Sequence, residues 1–315
     1  NCSVLGLDVT TEAPEFDIFI KEVAREITTK AGQKCTAVRR IIVPEHLVED
    51  VQIALGKRLA SSTIGDPSVD GVRMGSLAGQ SQREEVLEKI KELKASQEIV
   101  IGDLDNFEVT GADKNKGAFL PPVVFFNDDP FHKTAVHEIE AFGPVSTIMP
   151  YRSTDEAAEL AKMGKGSLVS SIITYDNQIA RDYTLEAATM HGRILTLNRD
   201  CAKESTGHGS PMPLLVHGGP GRAGGGEEMG GIRGILHYMQ RTAIQGSPTA
   251  ITAITNVYQQ GARGNSDGIH PFKKHYEELN ISDQLITEAR EITADDIDKF
   301  AALSGDNFYA HKRET

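Results

Sequence analysis

The sequence holds only three cysteines in 315 residues, Cys2, Cys35 and Cys201. So sparse and odd a set builds no disulfide scaffold and fits a reducing compartment, so a cytoplasmic location is expected. The spacing also excludes a Cys-x-x-Cys zinc site. No apolar stretch approaches the roughly 20 residues that span a bilayer, so no membrane partner is expected, and no signal peptide is visible. There is no basic run, and the formal net charge is -12. Nucleic-acid binders need a positive surface to release phosphate counterions, so nucleic acid is excluded as a partner. Internal repeats are lacking. So is an initiator methionine, and the last residues read as the opening of a structural unit; the chain is expected to be a segment cut at both ends.

What is there is ordinary for a globular protein: 39% hydrophobic and 25% charged residues, enough for one large or two smaller domains. Residues 14–32 give the clearest helix. Phe16, Phe19, Ile20, Val23, Ala24 and Ile27 share one face, with Pro14 at the start and Gly32 at the end. Val38 to Val43 is a strand candidate stopped by Pro44. Residues 45–60 and 81–95 read as amphipathic helices. Ile99 to Ile101, Val123 to Phe126, Val145 to Met149, Leu168 to Ile173 and Ile194 to Leu197 are short apolar runs, interleaved with helical stretches at 154–163 and 177–190. This alternation points to an α/β fold on a largely parallel sheet. A dense glycine stretch follows at 207–234. Then come a helix at 231–239, an alternating segment from Thr249 to Tyr258, and a polar, Gly-rich linker from Gly261 to Pro271. A helix over Thr293 to Ser304 is expected, with Thr293 and Asp296 as a capping pair and Gly305 as its stop.

Gly32-Gln33-Lys34-Cys35-Thr36 places a cysteine between an amphipathic helix and a strand. A nucleophilic thiol needs such a loop, exposed in a cleft and near positive charge or donors. By itself the motif is weak, because a lone cysteine is commonly a small buried apolar residue. Gly32-Gln33-Lys34-Cys35, with its preceding helix and following strand, resembles the cysteine signature of the aldehyde dehydrogenase superfamily. Glu138-Ile139-Glu140-Ala141-Phe142-Gly143-Pro144-Val145 resembles that family's Glu-x-Phe-Gly-Pro cofactor motif, in matching order and separation. Gly192 to Asn198 and the glycines after Pro211 resemble later landmarks. The resemblance covers roughly residues 1–260.

The resemblance implies that Cys35 attacks an aldehyde, that hydride passes to NADP or NAD, and that water releases the acid from a thioester. The Cys35 backbone N–H is a candidate donor to the oxyanion. It further implies that Glu140 binds the nicotinamide ribose hydroxyls and that Phe142 packs beside the cofactor. The family's general base, a Glu roughly 35–40 residues before the nucleophile, would fall ahead of Asn1, as would the amide completing the oxyanion hole and the dinucleotide-binding fold. This segment alone is therefore expected to be inactive.

Three other features offer less. Gly219-Pro220-Gly221-Arg222-Ala223-Gly224 matches G-x-G-x-x-G, but no Asp or Glu lies between Met229 and Ser266 to bind a ribose, so the stretch reads as close backbone packing. His132, His137, Glu138 and Glu140 fit no H-E-x-x-H spacing, and no metal is assigned. Cys2 and Cys201 read as inert.

The tail, Ile292 to His311, resembles the start of MaoC-like R-specific enoyl-CoA hydratases of the hot-dog fold. These carry an Asp and a His at the spacing of Asp306 and His311, a pair that can activate water. It departs from them at Phe308-Tyr309. A dehydrogenase joined to such a unit resembles the bifunctional enzymes of phenylacetate breakdown, which open oxepin-CoA and oxidise the resulting semialdehyde with a preference for NADP. The division this implies is 1–235 catalytic domain, 236–260 return helix and oligomerisation strand, 261–280 linker, and 281–315 truncated hydratase start. Substrates would be an aldehyde and a CoA thioester, and the complete protein a homo-oligomer. Two other readings stand beside it. One is a stand-alone aldehyde or acyl-CoA-forming dehydrogenase whose tail is not catalytic. The other is an inactive interaction piece, with Thr249 to Tyr258 adding a strand to a partner subunit.

Overall fold

The computed structural model describes all residues except 213–216, 226–237, 264–268, 270, 280–282, 284–288 and 306–315. It divides into a unit of Asn1–Arg263 and a unit of Gly264–Thr315.

The first unit is built on eight strands: β1 (Cys2–Leu5), β2 (Arg40–Pro44), β3 (Glu98–Ile101), β4 (Val123–Phe126), β5 (Val145–Tyr151), β6 (Ser167–Ile173), β7 (His191–Leu197) and β8 (Ala243–Gln245). They lie in the order β3-β4-β5-β2-β1-β6-β7-β8. Every neighbouring pair is parallel except β3 with β4. The largely parallel α/β fold expected from the alternation is therefore present. A central parallel strand is buried on both faces. Accordingly Ile41 and Val43 of β2 pack into one core, and Ile42 between them into another. β1 is so short that its apolar run gives no signal, yet it pairs with β2 and β6 at the middle of the sheet.

Helices α1 (Pro14–Thr28) and α2 (Val48–Ala60) cover one face. α1 starts at Pro14, which needs no N–H partner there, and carries Glu15 and Asp17 in its first turn. Phe19, Ile20, Val23 and Ile27 are buried against the sheet, each contributing roughly 1.5–3 kcal/mol by removal from water. The other face is covered by helices at Thr154–Lys162 and Asn177–Ala187, capped by the side chains of Ser153 and Asp176. Helix Gln80–Leu93 joins β4 and the start of β5 in a third core.

Some boundaries differ from the expectation. The helix expected over 14–32 ends at Thr28, and a left-handed turn follows. β2 begins two residues later than expected and takes in Pro44, whose ring is tolerated as the last paired residue. The expected helix at 231–239 lies mostly outside the described residues. The strand expected from Thr249 to Tyr258 is a helix, Pro248–Thr255. Local chemistry overrides the alternation. The Ser247 hydroxyl accepts from the Ala250 N–H, Pro248 presets the first turn, and Asn256 closes the helix in the left-handed conformation. Arg181 then donates to the Ala253 and Ile254 carbonyls at 2.8 Å each. The extended segment expected over Thr249 to Tyr258 is therefore replaced by a helix, and the described strand of the 236–260 stretch is β8.

In the second unit, helix Ala294–Ser304 forms as expected. Thr293 and Asp296 make a reciprocal capping box, and Gly305 ends it with φ +75°.

The cap at Ser247 is testable. Ser247→Ala should destabilise the first unit by about 1 kcal/mol, read as a lower urea midpoint at unchanged slope. An unchanged midpoint would return the segment to the extended conformation.

Candidate active site

Cys35 lies five residues before Arg40, the first residue of β2, and Glu140 lies five before Val145, the first of β5. β2 and β5 are parallel neighbours, Arg40 pairing with Thr147, so both leaders emerge at one end of the sheet, side by side.

The leader to β2 is bent. Lys30, Ala31 and Gly32 follow α1 with φ of 54°, 49° and 69°. Left-handed backbone costs a non-glycine residue roughly 1–2 kcal/mol, so Lys30 and Ala31 carry local strain, of the kind found near functional sites. Gly32 is required twice: by its φ, and because a Cβ there would overlap the carbonyl of Gly143. The backbones of the two motifs thus touch. Beyond the turn Cys35 is exposed, whereas Cys2 is buried and Cys201 partly buried. The Asn1 side chain donates to the carbonyls of Cys35 (2.8 Å) and Ala37 (3.2 Å). Gln33 accepts from the Ala78 N–H at 2.8 Å. Lys34 reaches back 2.7 Å to the buried Glu26, whose second oxygen has no partner. Burial pushes the Glu26 carboxyl above its ordinary range although Lys34 opposes it.

Arg39 ties this leader to the other. Its guanidinium donates to Gly32 O (2.7 Å) and Gly143 O (2.5 Å), lies 5.2 Å from the Phe142 ring centre, and puts Nε 3.8 Å from a Glu140 carboxylate oxygen. Burial draws Arg39 down to about 10, against the attraction of Glu140 and Glu26, so it stays charged near neutrality.

Behind Glu140 the chain is held by a second buried guanidinium. Arg40 donates to Leu160 O (2.7 Å) and Ala161 O (3.0 Å), and its Nη1 lies 3.2 Å from His137 Nδ1. His137 Nε2 is 2.9 Å from Pro130 O. This network assigns the proton to Nε2 and leaves Nδ1 to accept from Arg40. Burial and then Arg40 draw the His137 pKa down to about 4. Arg222 donates to His137 O at 2.8 Å. His137 thus serves as a buried hydrogen-bonding neighbour of the motif.

Cys35, Arg39, Glu140, Phe142 and Arg222 line one cavity of about 410 Å³. Three of the residues singled out in the sequence, Cys35, Glu140 and Phe142, are brought together there. Asp306 and His311 lie outside the described residues. Asn1, Arg39 and Arg222 escaped the sequence reading. Arg39-Arg40 offered a signal, since two charges opening a buried strand must find internal partners. The glycine stretch packs backbone on backbone: a Cβ on Gly192 would overlap Gly218 O, and one on Gly219 would overlap Ser167 O.

The sequence model described as "Aldehyde dehydrogenase family" matches residues 9–244. The chain belongs to the aldehyde dehydrogenase family. Over 239 residues it is 49% identical to protein MaoC of Klebsiella aerogenes, covering 76% of this chain and 70% of that protein. Over 220 residues it is 37% identical to 3,4-dehydroadipyl-CoA semialdehyde dehydrogenase of Aromatoleum evansii, covering 70% of this chain and 43% of that one. Among solved structures, aldehyde dehydrogenase C of Pseudomonas syringae, crystallised with NAD+ and octanal, superposes with a TM-score of 0.58 at 22% identity, covering 76% of this chain and 44% of that one. Betaine aldehyde dehydrogenase of Staphylococcus aureus gives 0.59 at 21% identity, covering 71% and 41%. The family member described here thus spans less than half the length of most of these relatives.

Two outcomes follow from the site geometry. Iodoacetamide should alkylate Cys35 first, because Cys2 is buried and burial pushes the Cys201 thiol up. Peptide mass mapping over time checks this, and equal labelling of all three contradicts it. For His137 the folded pKa is below its ordinary 6.5, so the unfolded chain binds the proton more readily. Its contribution to stability is complete above pH 6.5 and is lost as pH falls toward about 4, by at most roughly 1.4 kcal/mol per pH unit. His137→Asn should show a shallower loss of stability across that window; equal slopes contradict the assignment.

Proposed function

We propose that this segment supplies the nucleophile and part of the cofactor site for oxidation of an aldehyde to its acid with NADP or NAD. The observation that carries the reading is that Cys35 and Glu140 face one cavity. The surroundings fit a nicotinamide riboside. Glu140 offers a half-exposed carboxylate to hydroxyl donors, the exposed Phe142 lines the same space, and the buried Arg39 Nε–H has no hydrogen-bond partner. The aldehyde dehydrogenase and the betaine aldehyde dehydrogenase named above were both crystallised with NAD+.

The Cys35 thiolate forms a carbon–sulfur bond to the aldehyde carbon, and the carbonyl electrons move onto oxygen. The Cys35 N–H, which donates to no acceptor among the described residues, is a candidate donor to that oxyanion. Glu140 and Phe142 would hold a nicotinamide, which would supply the hydride acceptor needed for oxidation of the Cys35 adduct to a thioester. Water then breaks the carbon–sulfur bond, releasing the acid and restoring the thiol. A general base would activate that water.

A CoA-linked semialdehyde is the substrate we favour, because the relative at 37% identity is named for one. The second chemistry, hydration or hydrolytic ring opening of an unsaturated CoA thioester by Asp306 and His311, rests on the resemblance of the tail to the start of the hydratases and on the capped helix before the pair. The competing reading is a dehydrogenase with a non-catalytic tail.

Three variants of the whole protein separate these. Cys35→Ala should abolish aldehyde oxidation and spare the CoA-ester reaction, and Asp306→Ala should do the reverse. Glu140→Gln should weaken dinucleotide binding or slow hydride transfer by about 1.5–3 kcal/mol, the usual loss for a charge-assisted hydrogen bond. Oxidation that survives Cys35→Ala overturns the main reading. A CoA-ester reaction that survives Asp306→Ala leaves the tail non-catalytic.

A further inference from the structure

We infer that Arg39 is a positioning residue that sets the distance between the reacting sulfur and the nicotinamide. The inference rests on the function proposed above.

Among the described residues, Arg39 is the one side chain that bonds to both leaders. One Nη holds Gly32 O, three residues before the nucleophile, and the other holds Gly143 O, three residues after Glu140. A guanidinium presents its N–H groups in a rigid planar fork, so the two carbonyls are fixed relative to each other as well as to the arginine. The plane also lies against Phe142. Ordinary loops tolerate movement, but these two are already in backbone contact at Gly32 and Gly143, where even a methyl group has no room. What the fork adds is resistance to separation.

Its third group behaves differently. The Nε–H faces Glu140 at 3.8 Å, close enough for attraction and too far for a hydrogen bond, and it is buried with no other partner. Glu140 is therefore drawn toward the nucleophile's side of the cavity while its oxygens stay available to hydroxyl donors. Lysine in place of Arg39 keeps the charge and loses the fork, and the two leaders then separate.

Hydride transfer needs carbon centres held near contact, and a misplacement of about 1 Å can lower the rate on the order of 100-fold. In the whole protein, Arg39→Ala and Arg39→Lys should each lower the hydride-transfer rate by about that factor, with the loss falling on kcat rather than KM. Added guanidinium ion should restore much of the Arg39→Ala loss and none of a Cys35→Ala loss. A readout independent of turnover is amide exchange without cofactor. Peptides covering 29–36 and 139–144 should speed up together in both variants, while β7 stays protected.

The inference is overturned if Arg39→Lys keeps wild-type hydride transfer, if only one of the two peptides loosens, or if the loss lies wholly in KM. It is equally overturned if guanidinium rescues nothing while β7 stays protected. If β7 loosens as well, Arg39 supports the fold at large and the positioning role fails. Cys35→Ala is the separating control: oxidation that survives it removes the function reading and this inference together. A dead Cys35→Ala beside a fully active Arg39→Lys removes the inference alone.

Discussion

The site depends on the parallel pairing of β2 with β5. Two motifs separated by about a hundred residues lead into neighbouring parallel strands, Cys35 and Glu140 each lying five residues before the strand's first residue. That alone puts their leaders at one end of the sheet, a strand spacing of roughly 4.8 Å apart. Everything finer is built on this adjacency. The contact of Gly32 with Gly143 closes the gap, and the Arg39 fork bridges it. Arg40 and Arg222 brace the Glu140 side from behind. A left-handed turn at Lys30 to Gly32 precedes Cys35, which lines the cavity.

This cavity lies at the amino ends of the strands: Asn1 opens β1, Arg40 opens β2, and Ser167 opens β6. Open parallel sheets that bind nucleotides usually do so at the carboxyl ends, at a switch in strand order. The arrangement here lacks that use of the sheet. The thiol of Cys35, the carboxylate of Glu140 and the ring of Phe142 reach this cavity from the leaders of β2 and β5. The glycine stretch fits the same view, since its residues are spent on close backbone contact with Gly192 and Ser167.

Much of the fold was legible because its signals are local. Apolar runs of strand length alternating with amphipathic helices predict a parallel sheet, and Thr293, Asp296 and Gly305 mark one helix fully. β1 was missed because four residues, Cys2 to Leu5, carry no periodicity. The segment after Ser247 was misread because a two-residue alternation outweighed a serine cap followed by proline, although the cap was visible. Cys35 and Glu140 were legible only through family resemblance; as isolated residues a cysteine and a glutamate say little. The charge pair Arg39-Arg40 signalled only that internal partners were needed; which partners Arg39 and Arg222 take was not legible, because they reach carbonyl oxygens, and a carbonyl is present at every position of the chain. Such partners are fixed by tertiary geometry.

The central claim is that Cys35 carries the substrate covalently. The direct measurement is rapid acid quenching of the whole protein during its first turnover with aldehyde and NADP, followed by peptide mass spectrometry. The account predicts a hydroxylamine-labile acyl group on the peptide containing Cys35. An acyl group on Cys2, Cys201 or any other residue would contradict it, as would product formation with no acylated peptide at any quench time.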